Sequence, residues 1–250
     1  MPTQALQLIV LADVREVAAE ASRRLLQAIR AAERPLGLAT GRTMAPPYAA
    51  LLERLGALSE GERNALLRRW SSFNLDEYVG LGRHDGRSFA AAMDRQLGQP
   101  LGLAPDQLRL PDGLAADPEA EARRYAAELR RCGGIGLQLL GLGLNGHVGF
   151  NEPPCGPSEG CRCVQLSETT RRQNAADFGA DPAAVPGRAI TLGLREILAA
   201  EKILLLVTGS AKASVLQRLL REPAGPDLPA SWLHRHADVT VLADRAALDG

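Results

Sequence analysis

The sequence predicts an α/β fold, an open and mostly parallel sheet with helices on both faces. Two observations carry this. Apolar runs of strand length, such as Ile203 to Thr208, recur between stretches with helical periodicity, and no internal repeat or low-complexity segment interrupts the alternation. Polar residues also gather just beyond the ends of the apolar runs, the edge at which such sheets bind ligands.

In chain order, Leu6 to Leu11 reads as a first strand. Asp13 caps a helix in which Val14, Val17, Ala18, Ala21, Leu25 and Ile29 share one face. Leu36 to Thr40 is a strand that opens into a turn at Gly41, and Pro46 and Pro47 stand in the first turn of the next helix, where proline is tolerated. Ser71 to Leu75 is a further strand, ending in the acidic pair Asp76 and Glu77. Ile135 to Leu142 is a near-continuous apolar strand running into Gly143-Leu144-Asn145-Gly146-His147. The alternation then resumes with Ala189 to Leu192, a helix over Arg195 to Ala200, the strand Ile203 to Thr208, a helix over Ser210 to Leu220 and a last strand Val239 to Ala243. Residues 153–188, rich in Gly, Pro and polar residues, read as an excursion over the site and are expected to form a lid.

With 250 residues, 46% of them apolar, the chain is expected to fold as one domain over 1–250. Lys plus Arg and Asp plus Glu both number 29, so no net field draws it to nucleic acid or to a membrane surface. Any anion must be held by a local site. Without a long apolar run or a signal-like start, a cytoplasmic location is expected. Cys155, Cys161 and Cys163 fall in one loop but match no standard zinc spacing, and with Cys132 they are expected to be reduced thiols; no metal is expected.

Three segments carry chemistry. Thr40-Gly41-Arg42-Thr43 joins a strand to a helix, so backbone N–H groups and hydroxyls there could cradle a phosphate, although any strand-to-helix turn needs a small residue. Lys212, in the similar turn after Thr208-Gly209, opposes the helix dipole unless an anion sits beside it. Asp76 and Glu77 project to opposite sides of an extended chain, so only one readily faces a given cleft. His147, in a Gly-rich turn at a strand end, has Asn145 and Glu152 as candidate partners to fix its tautomer for acid–base work.

Phe73-Asn74-Leu75-Asp76-Glu77-Tyr78-Val79-Gly80-Leu81 and Asn145-Gly146-His147-Val148-Gly149-Phe150-Asn151-Glu152-Pro153 together resemble the glucosamine-6-phosphate deaminase/isomerase family. The resemblance runs from about Leu8 to Leu242 and includes Val207-Thr208-Gly209-Ser210-Ala211-Lys212. It implies a Rossmann-like sheet that binds no nucleotide, and conversion of glucosamine 6-phosphate and water to fructose 6-phosphate and ammonia without metal or organic cofactor. It also implies that Asp76 moves a proton between C2 and C1, that His147 assists ring opening, and that Glu152 and Asn145 orient His147. Thr40, Gly41, Arg42, Thr43 and Lys212, in their two strand-to-helix turns, are expected to hold the phosphate. The partner it implies is a small amino-sugar phosphate.

The chain departs from the family pattern in three places. Asn145 stands where many members have Asp. The arginine that holds phosphate in well-studied members aligns near Ala176 and is absent, and Arg42 is expected to supply a guanidinium instead. Arg162 is kept from the effector site of allosteric members, but Val164 replaces a lysine, so little or no allosteric activation is expected. A galactosamine-6-phosphate deaminase/isomerase differs in substrate only at C4, and a 6-phosphogluconolactonase shares the fold but normally lacks the continuation to Glu152. A silent sugar-phosphate sensor would have no evident need of Asp76, His147 and Glu152 together. The C4 epimer, the direction of reaction and the choice between monomer and homo-oligomer are open at this level.

Overall fold

The structure, a computed structural model, describes residues 6–31 and 33–249. Among these residues ten strands are formed: β1 (Gln7–Leu11), β2 (Leu36–Leu38), β3 (Ser72–Asn74), β4 (Asp76–Tyr78), β5 (Leu108–Arg109), β6 (Leu137–Gly141), β7 (Arg162–Gln165), β8 (Arg188–Thr191), β9 (Lys202–Val207) and β10 (Val239–Asp244). The α-helices are α1 (Val14–Ala31), α2 (Ala45–Gly56), α3 (Glu60–Arg68), α4 (Phe89–Met93), α5 (Gln99–Leu101), α6 (Pro118–Arg131), α7 (Glu168–Asn174), α8 (Leu194–Leu198), α9 (Ala213–Arg221) and α10 (Ala246–Asp249).

Seven strands form one parallel sheet in the order β1-β10-β9-β6-β2-β3-β5. The apolar run of β9 is buried on both faces, from Ile203 to Val207, which is why it shows no alternation. Asp13 caps α1 as its sequence position predicts, its carboxylate accepting from the N–H groups of Arg15 and Glu16 at 2.8 and 2.9 Å.

Strand order reverses between β2 and β6. From β2 the chain builds outward through β3 and β5; from β6 it builds the other way through β9 and β10. The loops leaving these two neighbours at their C-terminal ends diverge and leave a crevice between residues 39–44 and 142–150.

The second sheet was not foreseen in the sequence. Asp76–Tyr78 is a strand of its own, antiparallel to β8, which is in turn antiparallel to β7. Leu75 is the splice: its N–H donates to Leu38 O at 2.8 Å in the large sheet, and its carbonyl accepts from Leu192 N–H at 2.7 Å beside the small one. The segment 153–188, read as an irregular excursion, supplies β7, α7 and two 3₁₀ turns. It packs on a second apolar cluster of Tyr78, Leu81, Phe150, Leu166, Ala175, Phe178, Val185 and Ala189. The rings of Phe89, Phe150 and Phe178 lie 4.6–5.5 Å from that of Tyr78, so three of the four phenylalanines in the chain are committed here. The helix read over Ser210 to Leu220 begins with a 3₁₀ turn, and α9 proper starts at Ala213.

Candidate active site

The crevice at the strand reversal is lined by Thr40, Gly41, Arg42 and Thr43 from the turn after β2, Asp76 from β4, Gly143, His147, Gly149 and Phe150 from the turn after β6, and Lys212. Phe89, Gln173 and Asn174 complete its wall. A larger hollow of about 340 Å³ lies at the opposite edge of the sheet, where Arg34 is paired to Glu201 and Arg24 to Glu20.

The register of β4 against β8 decides which carboxylate faces the crevice. Asp76, opposite Thr191, points in; Glu77 points away and accepts the backbone N–H groups of Tyr78, Phe89 and Ala90 at 2.8, 3.0 and 2.7 Å. Glu77 therefore satisfies orphan donors at the start of α4. Both carboxyls are pushed up by burial. Asp76 reaches about 8, with a further rise from the charge of Glu77, and Glu77 reaches about 7, held back by its three N–H donors.

His147 is held by its own turn. Its carbonyl accepts from Gly143 N–H at 2.9 Å, and the imidazole lies so close over Gly143 that a Cβ there would sit 2.3 Å from the ring. Oδ1 of Asn145 accepts the backbone N–H of His147 at 3.3 Å, which fixes the amide orientation, since only an oxygen can accept. The same Oδ1 lies 2.6 Å from Nδ1, which must then carry the proton, and the lone pair falls on Nε2. Burial holds the imidazole well below its usual range, to about 4; the carboxylate of Glu152 opposes this and the ammonium of Lys212 adds to it.

Gly149, at φ +58°, lets the backbone pass within reach of Asp76: a Cβ there would lie 3.5 Å from Oδ2. Asn151 ties this turn to β8 by donating to Val148 O and Leu192 O at 3.0 and 2.9 Å.

Glu152 is placed differently from the orienting role the sequence suggested. Its carboxylate accepts from Ser167 N–H at 2.9 Å and from the hydroxyls of Ser167 and Thr170, at the N-terminus of α7. Burial alone would raise its pKa, but these bonds prevail and hold it below the usual range. It acts on His147 through charge, and Asn145 is the hydrogen-bonded partner.

Arg42 and Lys212 meet at the other end of the crevice. Burial lowers the Lys212 pKa and the guanidinium of Arg42 lowers it further. Among the described residues neither cation forms a salt bridge. Two unpaired like charges beside the N-terminal turns of α2 and α9 make a site that an anion would relieve.

Sequence reasoning missed Phe89, Phe150, Gln173 and Asn174. Ala176, where the family arginine would align, is exposed and lies outside the crevice wall. Only a helical reading of 168–174, from the cap at Ser167, could have placed Gln173 and Asn174 on the side facing the site.

The chain matches the family described as glucosamine-6-phosphate isomerases/6-phosphogluconolactonase over residues 12–242. It belongs to that family. It is 41% identical to a glucosamine-6-phosphate deaminase of Halalkalibacterium halodurans over 85% of this chain and 84% of that one. A glucosamine-6-phosphate deaminase of Geobacillus sp. is 39% identical over 97% and 95% of the two chains. Among solved structures, a monomeric glucosamine-6-phosphate deaminase superposes with a TM-score of 0.91 at 37% identity, covering 98% of this chain and 99% of that one. A 6-phosphogluconolactonase from Trypanosoma cruzi shares the fold at a TM-score of 0.76 and 21% identity, covering 100% of this chain and 98% of that one. Among the described residues no helix is long and apolar enough to cross a membrane.

Proposed function

We propose that this protein is a glucosamine-6-phosphate deaminase, converting glucosamine 6-phosphate and water to fructose 6-phosphate and ammonia. The observation that carries the reading is the pairing, across one crevice, of a buried carboxylate of raised pKa with an imidazole whose Nε2 is unprotonated, beside two unpaired cations.

Arg42, Lys212 and the N–H groups of the turn at 40–43 take the phosphate dianion. Nε2 of His147 accepts the proton of the C1 hydroxyl and returns it to the ring oxygen, opening the sugar to the aldehyde. Because the neutral imidazole is the favoured form, it relays the proton rather than storing it. The Asp76 carboxylate then takes the C2 proton while the C1 oxygen takes one from the substrate ammonium, leaving an enolamine, and Asp76 delivers its proton to C1, so the double bond moves to C2 as an iminium. Water adds to that iminium and ammonia leaves. A carboxylate whose charge is poorly solvated is a stronger base than one in water, and a substrate ammonium favours its ionised form.

The guanidinium of Arg162 is engaged by Asn151 Oδ1, Gly160 O and the thiol of Cys155. It is not free to receive an effector, and activation by a second sugar phosphate is not part of this reading.

The test is ammonia release from glucosamine 6-phosphate and, separately, from galactosamine 6-phosphate by the purified protein, with Asp76→Asn as control. Turnover of the gluco substrate that is lost in the control supports the proposal. Preference for the galacto substrate moves the assignment to that epimer, and silence with both in folded protein refutes it.

A further inference from the structure

Asn74 is the last residue of β3, wholly buried, and its side-chain amide stands between the phosphate end and the reacting end of the crevice. Nδ2 donates to Thr40 Oγ1 at 3.0 Å and to the backbone carbonyl of Asp76 at 3.2 Å. An amide nitrogen carries two hydrogens, so both bonds can be made at once. The backbone of Asn74 is anchored independently, its carbonyl accepting from the hydroxyl of the buried Tyr125 at 2.8 Å.

The consequence for Thr40 follows from hydroxyl chemistry. A threonine hydroxyl has one hydrogen and two lone pairs. With one lone pair taken by the Asn74 amide, its own hydrogen must point elsewhere. Thr40 lines the crevice next to Gly41 and Arg42, so that hydrogen is available to an anion held there. The consequence for Asp76 is positional. Among the described residues no hydrogen-bond donor fixes its carboxylate, which has Gly149 beside Oδ2, so its aim depends on the backbone that Asn74 pins.

We propose that Asn74 is a positioning residue that couples the two ends of the site, presenting the Thr40 hydroxyl to the substrate phosphate as a donor while holding the base Asp76 at the carbon skeleton. The inference rests on the function proposed above. Neither bond contacts the substrate, and both act through a residue that does. Displacing a reacting group by about 1 Å is enough to cost on the order of 10²-fold in rate.

The experiment is a double-mutant cycle on ammonia release from glucosamine 6-phosphate, with wild type, Asn74→Ala, Thr40→Val and the double variant, each shown to be folded by circular dichroism. Wild-type turnover tests the function itself and separates its failure from failure of this inference. The expected result is that Asn74→Ala lowers kcat by about tenfold to a hundredfold and raises KM. Thr40→Val raises KM, and the KM rise of the double variant is no larger than that of Thr40→Val alone. Independent multiplication of the two KM effects would overturn the coupling, and so would a folded Asn74→Ala with kcat within about twofold of wild type. A residue needed only for packing would lower stability without this pattern. Should Asn74→Ala not fold, Thr40→Ser decides: it keeps the hydroxyl and must retain a KM close to wild type where Thr40→Val does not, and equal KM values for the two overturn the proposal.

Discussion

Nδ1 of His147 lies 2.6 Å from Oδ1 of Asn145, and because that oxygen also accepts the His147 backbone N–H, the ring proton is confined to Nδ1. An amide oxygen fixes the tautomer without supplying a charge to stabilise imidazolium. Asn145→Asp places a carboxylate there, and the His147 pKa is expected to rise by at least about one unit from its low value. A histidine NMR titration of the two proteins reads this directly; an unmoved or lowered value would show that the contact is not the one described.

Arg42 and Lys212 repel one another within the crevice and are both drawn to an anion. Arg42→Ala and Lys212→Met should each raise KM for the sugar phosphate by about tenfold or more, with the wild-type KM climbing as salt is added. Inorganic phosphate should raise the melting temperature of the wild type and have less effect on either variant. If KM in Arg42→Ala matches wild type, the guanidinium does not stand in for the family arginine.

Asp76 has a folded pKa of about 8 against roughly 3.9 unfolded. The folded protein therefore binds this proton more tightly than the unfolded chain does. The stability associated with it is complete below about pH 4 and is lost as pH rises toward 8. Asp76→Asn removes this titration, so the variant should be more stable than wild type at pH 8, by about 1 kcal/mol or more, with the gap narrowing toward pH 5. Chemical denaturation at the two pH values checks it, and a gap that is the same at both would argue against a buried, unpaired carboxylate.

Glu152 caps α7 through Ser167 and Thr170, and α7 carries Gln173 and Asn174 on the crevice wall. Glu152→Gln should cost about 1–2 kcal/mol by weakening that cap. Its pKa is depressed in the folded state, so the carboxylate's contribution is present at neutral pH and fades as pH falls through and below about 4. Urea denaturation of wild type and variant at pH 7 and pH 4 should show the difference shrinking in acid.

The parts of the fold that could be read from the sequence are those whose residues are buried on both faces. Ile203 to Val207 announces a central strand because no polar residue interrupts it, and the run from Ile135 to Leu142 does so with Gln138 as its one polar side chain. β7, Arg162-Cys163-Val164-Gln165, was not legible, since its residues are half-exposed or exposed and it exists by pairing with β8. The site divides the same way. Alternation says that Asp76 and Glu77 diverge, but the pairing of Asp76 with Thr191, far along the chain, decides which one enters the crevice. Glu152 was read as a partner of His147 because the two are close in sequence, whereas three donors at the start of α7 hold its carboxylate. Gln173 and Asn174 reach the crevice because the residues flanking that helix, Leu166, Ala175 and Phe178, pack in the apolar cluster around Tyr78.

The most direct measurement is the time course of ammonia release from glucosamine 6-phosphate carrying deuterium at C2, compared with the unlabelled sugar, for wild type and for Asp76→Asn. Proton abstraction by Asp76 predicts slower release from the deuterated sugar, fructose 6-phosphate formed in equal amount to ammonia, and loss of about 10²-fold or more in Asp76→Asn. Wild-type protein that is folded yet releases no ammonia, or an Asp76→Asn variant that works at the wild-type rate, would contradict it.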